Sequence, residues 1–119
     1  MNHNTGIPSY ATVLESQHQL INDTVSQVSS DLVDHIVGLL ANHKFNVKRE
    51  FAHGGITEKE IPSMEHICNS PEVKQAIINR IKQQFADAGW PIESMGMSWY
   101  QPKDTNYNFA FRFVFEYRI

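Results

Sequence analysis

The last thirteen residues of the chain, 107–119, alternate between large apolar and mostly polar side chains. The apolar positions are Tyr107, Phe109, Phe111, Phe113, Phe115, Tyr117 and Ile119. Because side chains alternate between the two faces of a strand, this pattern predicts a β-strand with one aromatic face. Burial of each aromatic side chain contributes about 2–3 kcal/mol, so we expect this strand to anchor the core.

The longest periodic stretch runs from about residue 9 to residue 43 and repeats at intervals of three and four residues. The repeated positions are Leu14, His18, Ile21, Val25, Val28, Leu32, His35 and Leu39. Such spacing places side chains along one side of an α-helix, so it predicts a long helix with a narrow, largely apolar stripe. Ser9 is positioned to cap this helix, and residues 1–8 form a polar N-terminal arm before it.

An unbroken helix over residues 9–43 would be about 50 Å long, whereas a compact domain of this size is only about 30 Å across. Two alternatives follow. The helix either breaks near Ser30, which would cap a second helix, or it stays whole and its excess length binds a second copy or another protein. In the second case the interface candidates are Leu14, His18, Ile21, Val25, Val28, Leu32 and His35.

The middle of the chain has weaker signals. Residues 45–51 alternate in the manner of a short strand, and Gly54 and Gly55 predict a loop after it. Residues 57–69 are expected to form a loop with one or two helical turns over residues 63–68. Within this loop Thr57 and Glu60 have the spacing of a helix capping box.

The second half of the chain begins with a clear helix signal. Ser70 is an N-cap, Pro71 suits the first helical position, and Gly89 suits the position after the last turn. These residues predict a helix over residues 71–88. A strand is predicted over residues 92–100, followed by a turn over residues 101–106 that leads antiparallel into the aromatic strand.

The predicted order is one or two helices, a strand, a helix and two strands. A right-handed crossover makes the first two strands parallel to each other. The aromatic strand, as the longest and most apolar, is best placed between them, which gives the sheet order 2-3-1. With both helices on the aromatic face, the prediction is one α+β domain over residues 9–119, a two-layer sandwich with an antiparallel or mixed three-stranded sheet.

Composition narrows the function. The chain has 10 Lys and Arg against 13 Asp and Glu, a formal net charge of −3, which argues against general binding to nucleic-acid phosphates. A local basic patch on the outer sheet face is an alternative, formed by Lys48, Arg49, Arg112 and Arg118. The N-terminus does not have the pattern of a signal peptide, and no apolar run reaches membrane-span length. We therefore expect a cytoplasmic protein without a membrane partner.

Motifs for chemistry are weak. His53, His66 and Cys68 are the one set that suggests a metal site, and their spacing matches no tetrahedral zinc pattern. The chain contains no nucleophile elbow and no glycine-rich phosphate loop. We therefore predict a protein that is not an enzyme and has no metal or cofactor, with a small metal-dependent enzyme using residues 53–68 as the second alternative.

One resemblance concerns residues 70–119, less than half of the chain. A capped helix, the segment Asp87-Ala-Gly-Trp-Pro-Ile92 and an aromatic terminal hairpin are similar in layout to many small uncharacterised bacteriophage proteins. The resemblance implies a viral accessory or virion component, and it assigns a function to no residue. Together with the long helix, it favours a non-catalytic protein that works by association with itself or with a protein partner.

Overall fold

The computed structural model describes residues 6–45, 50–103, 105–107 and 109–117. The helices are α1 (Tyr10–Ala41) and α2 (Pro71–Asp87), and the strands are β1 (Glu50–Ile56), β2 (Met95–Tyr100) and β3 (Ala110–Glu116). Two short 3₁₀ segments, Pro62–Ile67 and Ile92–Ser94, precede α2 and β2. The element order agrees with the α+β prediction.

The three strands form one sheet in the order β1-β3-β2, with β3 antiparallel to both neighbours. Phe115 pairs with Phe51 on one side and with Met95 on the other, so the inner face has a continuous row of apolar side chains. This confirms the predicted strand order and the central position of the aromatic strand.

Both helices cover the aromatic face of the sheet. Phe111 and Phe113 of β3 are fully buried. They belong to the same core as fully buried residues of both helices, which are Val28, Leu32 and Ile36 of α1 and Ile77 and Ile81 of α2. Trp90 closes one end of this core, with its ring 5.2 Å from that of Phe85 and 4.9 Å from that of Phe115. The two-layer sandwich is therefore confirmed.

The long N-terminal helix is continuous over 32 residues, so of the two alternatives the unbroken helix is correct and the break near Ser30 does not occur. Val28, Leu32 and Ile36 recur at intervals of four and are fully buried on the same side. A break between them would remove that packing, which outweighs the weak capping tendency of Ser30. The helix instead ends at Asn42, whose side-chain amide donates to the carbonyl of Gly38 at 3.1 Å.

The first strand lies further along the chain than the predicted residues 45–51. It spans Glu50–Ile56 and includes the glycine pair that predicted a loop. His53 pairs with Phe113 and Ile56 with Phe111, so Gly54 and Gly55 together oppose one residue of β3. This is a β-bulge, and it returns Ile56 to the buried face. Residues 46–49 of the predicted strand lie outside the described residues.

The boundaries of the second half follow its capping signals. The hydroxyl of Ser70 accepts from the backbone amide of Val73 at 3.3 Å, and Gly89 has a φ of 86° after the last turn of α2. The strand predicted from residue 92 begins only at Met95, because Ile92–Ser94 form a 3₁₀ turn in which the Ser94 amide donates to the Pro91 carbonyl. The strand predicted over residues 107–119 forms its ladder over Ala110–Glu116, and residues 108, 118 and 119 of the prediction lie outside the described residues.

The molecule is elongated. Its radius of gyration is 18.0 Å and its extents are 70 × 36 × 20 Å, whereas a compact domain of this length has a radius of gyration of about 13–14 Å. The N-terminal half of α1 accounts for the difference, because it projects beyond the sandwich.

Candidate interaction surface

The exposed surface that stands out is the first part of α1. Every residue from Gly6 to Asp23 is exposed, and the first buried residue of the helix is Val25. We call residues 10–23 the protruding segment. At 1.5 Å per residue it is about 21 Å long, nearly half of α1.

Local contacts and continuity with the buried half keep the protruding segment helical. The Ser9 hydroxyl accepts from the backbone amide of Thr12 at 3.1 Å, and Gln19 donates to the carboxylate of Asp23 at 2.9 Å. An isolated helix of about 14 residues is marginal in water. Here the helix is nucleated by its buried C-terminal half, so the protruding segment needs only propagation.

The protruding segment exposes five large apolar side chains. The exposed fractions are 77% for Tyr10, 39% for Val13, 38% for Leu14, 60% for Leu20 and 41% for Ile21. At about 100° per residue, Tyr10, Leu14 and Ile21 lie within about 40° of the direction of Val28 on the helix surface. The stripe that forms the core in the second half of α1 thus continues without a partner along the first half.

The structure divides the seven predicted interface residues into two groups. Val25, Val28 and Leu32 are buried in the core of the single chain, and His35 is half-buried. Leu14, His18 and Ile21 are exposed on the protruding segment. Only this second group is accessible to a partner while the sandwich is intact.

Sequence reasoning missed Tyr10, Val13 and Leu20. Val13 and Leu20 directly precede the stripe residues Leu14 and Ile21 in sequence. This doubling widens the apolar face from a narrow stripe to the breadth that a partner helix covers. The signal was present in the sequence, as apolar neighbours one position away from the regular repeat.

A groove of about 440 Å³ lies where the protruding segment leaves the sandwich. Leu20, Asp23, Thr24 and Gln27 of α1 line one wall, and Glu65 and Cys68 are among the residues of the other wall, which follows the 3₁₀ segment before α2. The groove therefore combines apolar side chains with two carboxylates and one amide at the end of the exposed apolar face.

The three residues considered for a metal site lie in two separate parts of the structure. His53 lies in β1, where its ring is 6.0 Å from that of His35. His66 is exposed, 3.5 Å from the carboxylate of Glu65, and Cys68 is also exposed, both at the groove. Within the described part of the chain, no group of three or more histidine, cysteine or acidic residues is arranged to hold a metal ion.

Two buried polar atoms lie on the core side of α1. The Nε2 atom of His35 and the hydroxyl of Ser29 have no hydrogen-bond partner among the described residues. His35 also lines a shallow cleft together with Asp34 and Glu60. Asp31 also lines this cleft, so it gathers three carboxylates and one imidazole at its edge.

The capping-box spacing at residues 57–60 corresponds to a real contact. The carboxylate of Glu60 accepts from the backbone amide of Thr57 at 2.9 Å and from its hydroxyl at 3.0 Å. Burial raises the pKa of Glu60, but the hydrogen bonds from Thr57, with smaller contributions from its own amide and from Lys59, outweigh burial and lower the pKa overall. The contact fixes the turn that leads from β1 into the 3₁₀ segment.

The outer face of the sheet is the surface of the nucleic-acid alternative. Arg112 of the central strand β3 is exposed on this face. Glu116 of β3 and its pairing partner Glu50 of β1 are exposed on the same face. The other basic candidates, Lys48, Arg49 and Arg118, lie outside the described residues. The described part of this face thus has one arginine against two glutamates.

No helix in the described ranges is long and apolar enough to cross a membrane. Comparisons of the chain with models of protein families, with curated proteins and with solved structures found no significant match. The resemblance to small bacteriophage proteins therefore stays a prediction, and the surface of the molecule is the basis for the function proposed below.

Proposed function

We propose that this protein acts without catalysis, as an association module that binds a second copy of itself through the protruding segment. The observation that carries this proposal is the continuity of the stripe. The same face of α1 that is core from Val25 onward displays five large apolar side chains over residues 10–23. A helix face of this kind is typically covered by another helix.

The charges of the protruding segment allow this association. The segment contains two acidic residues, Glu15 and Asp23, and neither lysine nor arginine. At about 100° per residue, both carboxylates lie more than 90° away from the direction of Ile21. Both side chains are exposed to solvent in the single chain, so repulsion between two copies is screened at physiological salt.

The expected affinity is modest. Full burial of one large apolar side chain contributes about 1.5–3 kcal/mol, and ten partly exposed side chains in a dimer contribute on the order of 10 kcal/mol. Association costs about 4–15 kcal/mol in translational and rotational freedom. We therefore expect a dimer that forms at micromolar or higher concentration and dissociates on dilution.

The test is the native mass of the wild type, Ile21→Glu and Leu14→Glu, measured by light scattering across a concentration series. Asn22→Glu is the matched control, because it adds the same side chain at an exposed position about 120° from the direction of Val28 on the helix. We expect the wild type and Asn22→Glu to dimerise at high concentration, and the two stripe variants to remain monomers with unchanged thermal stability.

Two results would reject the proposal. One is a wild type that is monomeric up to the highest concentration measured. The other is a set of stripe variants that dimerise as well as Asn22→Glu does, since the exposed apolar face would then not be the contact.

A further inference from the structure

We infer that the second copy binds in antiparallel orientation, with a two-fold axis beside Gln17, and places its Tyr10 in the groove at the base of the protruding segment. This inference rests on the proposed self-association and adds its geometry. Two features of α1 lead to it.

The first feature is a local symmetry of the sequence about Gln17. Val13 and Leu14 lie four and three residues before it, and Leu20 and Ile21 lie three and four residues after it. A two-fold axis beside this point brings the first apolar pair of one subunit opposite the second apolar pair of the other subunit. Val13 then lies opposite Ile21 of the partner subunit, and Leu14 opposite Leu20 of the partner subunit. An isologous interface requires this kind of self-complementarity.

The second feature is the length of the exposed stripe. From Val25 onward the stripe is covered by the rest of the chain, and Val28 is fully buried. A parallel partner in register would continue along this covered part and collide with the sandwich. An antiparallel partner ends there instead, because its first helical residue, Tyr10, comes opposite Thr24.

The groove provides a place for the partner's Tyr10. Thr24 belongs to its wall, together with Leu20, Asp23 and Gln27, and Glu65 and Cys68 lie across from them. Leu20 offers an apolar contact for the ring, and the two carboxylates offer acceptors for the phenolic hydroxyl. Tyr10 is 77% exposed in the single chain, so this contact would cover the most exposed aromatic ring of α1.

Orientation is tested by disulfide trapping in a Cys68→Ser background. Val13→Cys and Ile21→Cys are oxidised separately and as a mixture, with Gln19→Cys on the opposite side of the helix as control. In the antiparallel dimer, positions 13 and 21 of the partner subunit face each other, whereas two copies of position 13 are about 12 Å apart along the axis. Disulfides require Cα atoms within about 7 Å, so only the mixture should give a covalent dimer.

Each result has a distinct meaning. A covalent dimer from Val13→Cys alone would show a parallel arrangement and overturn the inference, although self-association itself would stand. Absence of a 13–21 disulfide in protein that is dimeric by light scattering would also overturn it. A wild type that is monomeric at every concentration would remove both the proposed function and this inference.

The groove is tested with Tyr10→Cys, which retains the native Cys68, against Tyr10→Cys/Cys68→Ser. Position 10 is about 21 Å along α1 from Thr24 of its own chain, so a disulfide to Cys68 can form only between two chains. We expect a covalent dimer with Tyr10→Cys, a 10–68 linkage by mass spectrometry, and none in the double variant. A covalent dimer of the double variant, or no 10–68 linkage in dimeric protein, would overturn the placement of Tyr10.

Discussion

The hydroxyl of Tyr100 accepts a hydrogen bond from the backbone amide of Gly55 at 2.6 Å. Tyr100 belongs to β2 and Gly55 to β1, and the two strands are separated by β3, so the tyrosine side chain reaches across the central strand. The contact satisfies an amide at the β-bulge, where Gly54 and Gly55 together oppose one residue of β3. The bulge and the tyrosine therefore stabilise each other on the outer face of the sheet.

This relationship predicts the effect of alanine at the glycines. Gly55 has a φ of +72°, which L-residues adopt at a cost of about 1–2 kcal/mol, so we expect Gly55→Ala to lower the free energy of unfolding by about that amount. A Cβ at Gly54 would lie 3.3 Å from the Tyr100 hydroxyl, which predicts a smaller loss. Gly38→Ala is the control: it lies within α1 with no atom within 4 Å of the new Cβ, and should stabilise by about 0.5–1 kcal/mol. Urea denaturation measures all three, and a stabilised Gly55→Ala would contradict the bulge geometry.

Replacement of a leucine by alanine should affect stability differently in the two halves of α1. Leu32 is fully buried, so Leu32→Ala should cost about 2–5 kcal/mol of unfolding free energy. Leu14 is exposed in the single chain, and Leu14→Ala should change the stability of the monomer by less than about 0.5 kcal/mol. Denaturation at a concentration below the dimerisation range separates the two. Equal losses would mean that residues 10–23 pack on the sandwich in solution.

The Glu60 contact predicts a dependence on pH. Because the pKa of Glu60 is lowered in the folded protein, its ionised form stabilises the fold. This stability is fully present above the ordinary pKa of 4.5 and is lost as the pH falls through the lower folded value. Glu60→Gln should therefore be less stable than the wild type at neutral pH, and the difference should shrink in acid. Thermal melts from pH 3 to pH 7 test this, with the exposed Glu58→Gln as control; a difference that grows in acid would contradict the sign.

The two helix caps should differ in their consequences. Ser70→Ala removes the cap of α2, whose next turns are in the core, and should cost about 1 kcal/mol of global stability. Ser9→Ala removes the cap of the protruding segment and should fray only that end. Hydrogen exchange would then be faster over the first turns of α1 at unchanged global stability. A global loss with Ser9→Ala as large as that with Ser70→Ala would show that the two helix ends are equally coupled to the core.

The sequence was a partial guide to the exposed apolar face proposed as the interaction surface. Leu14 and Ile21 were predicted from the regular spacing of the stripe, and both are exposed as a partner would require. Val28 and Leu32 belong to the same regular spacing, yet they are core. Spacing reports which residues share a helix face, and it does not report what covers that face.

The elements that depend on local signals could be predicted from the sequence. Ser70 and Gly89 set the ends of α2, because caps act within one helical turn, and the alternation of Phe111, Phe113 and Phe115 set the central strand. The position of Gly54 and Gly55 within β1 depends on tertiary contacts, since the bulge exists through pairing with β3 and the hydrogen bond to Tyr100. The point at which the stripe of α1 changes from surface to core depends on them as well, because burial is set by how far the sandwich extends along the helix.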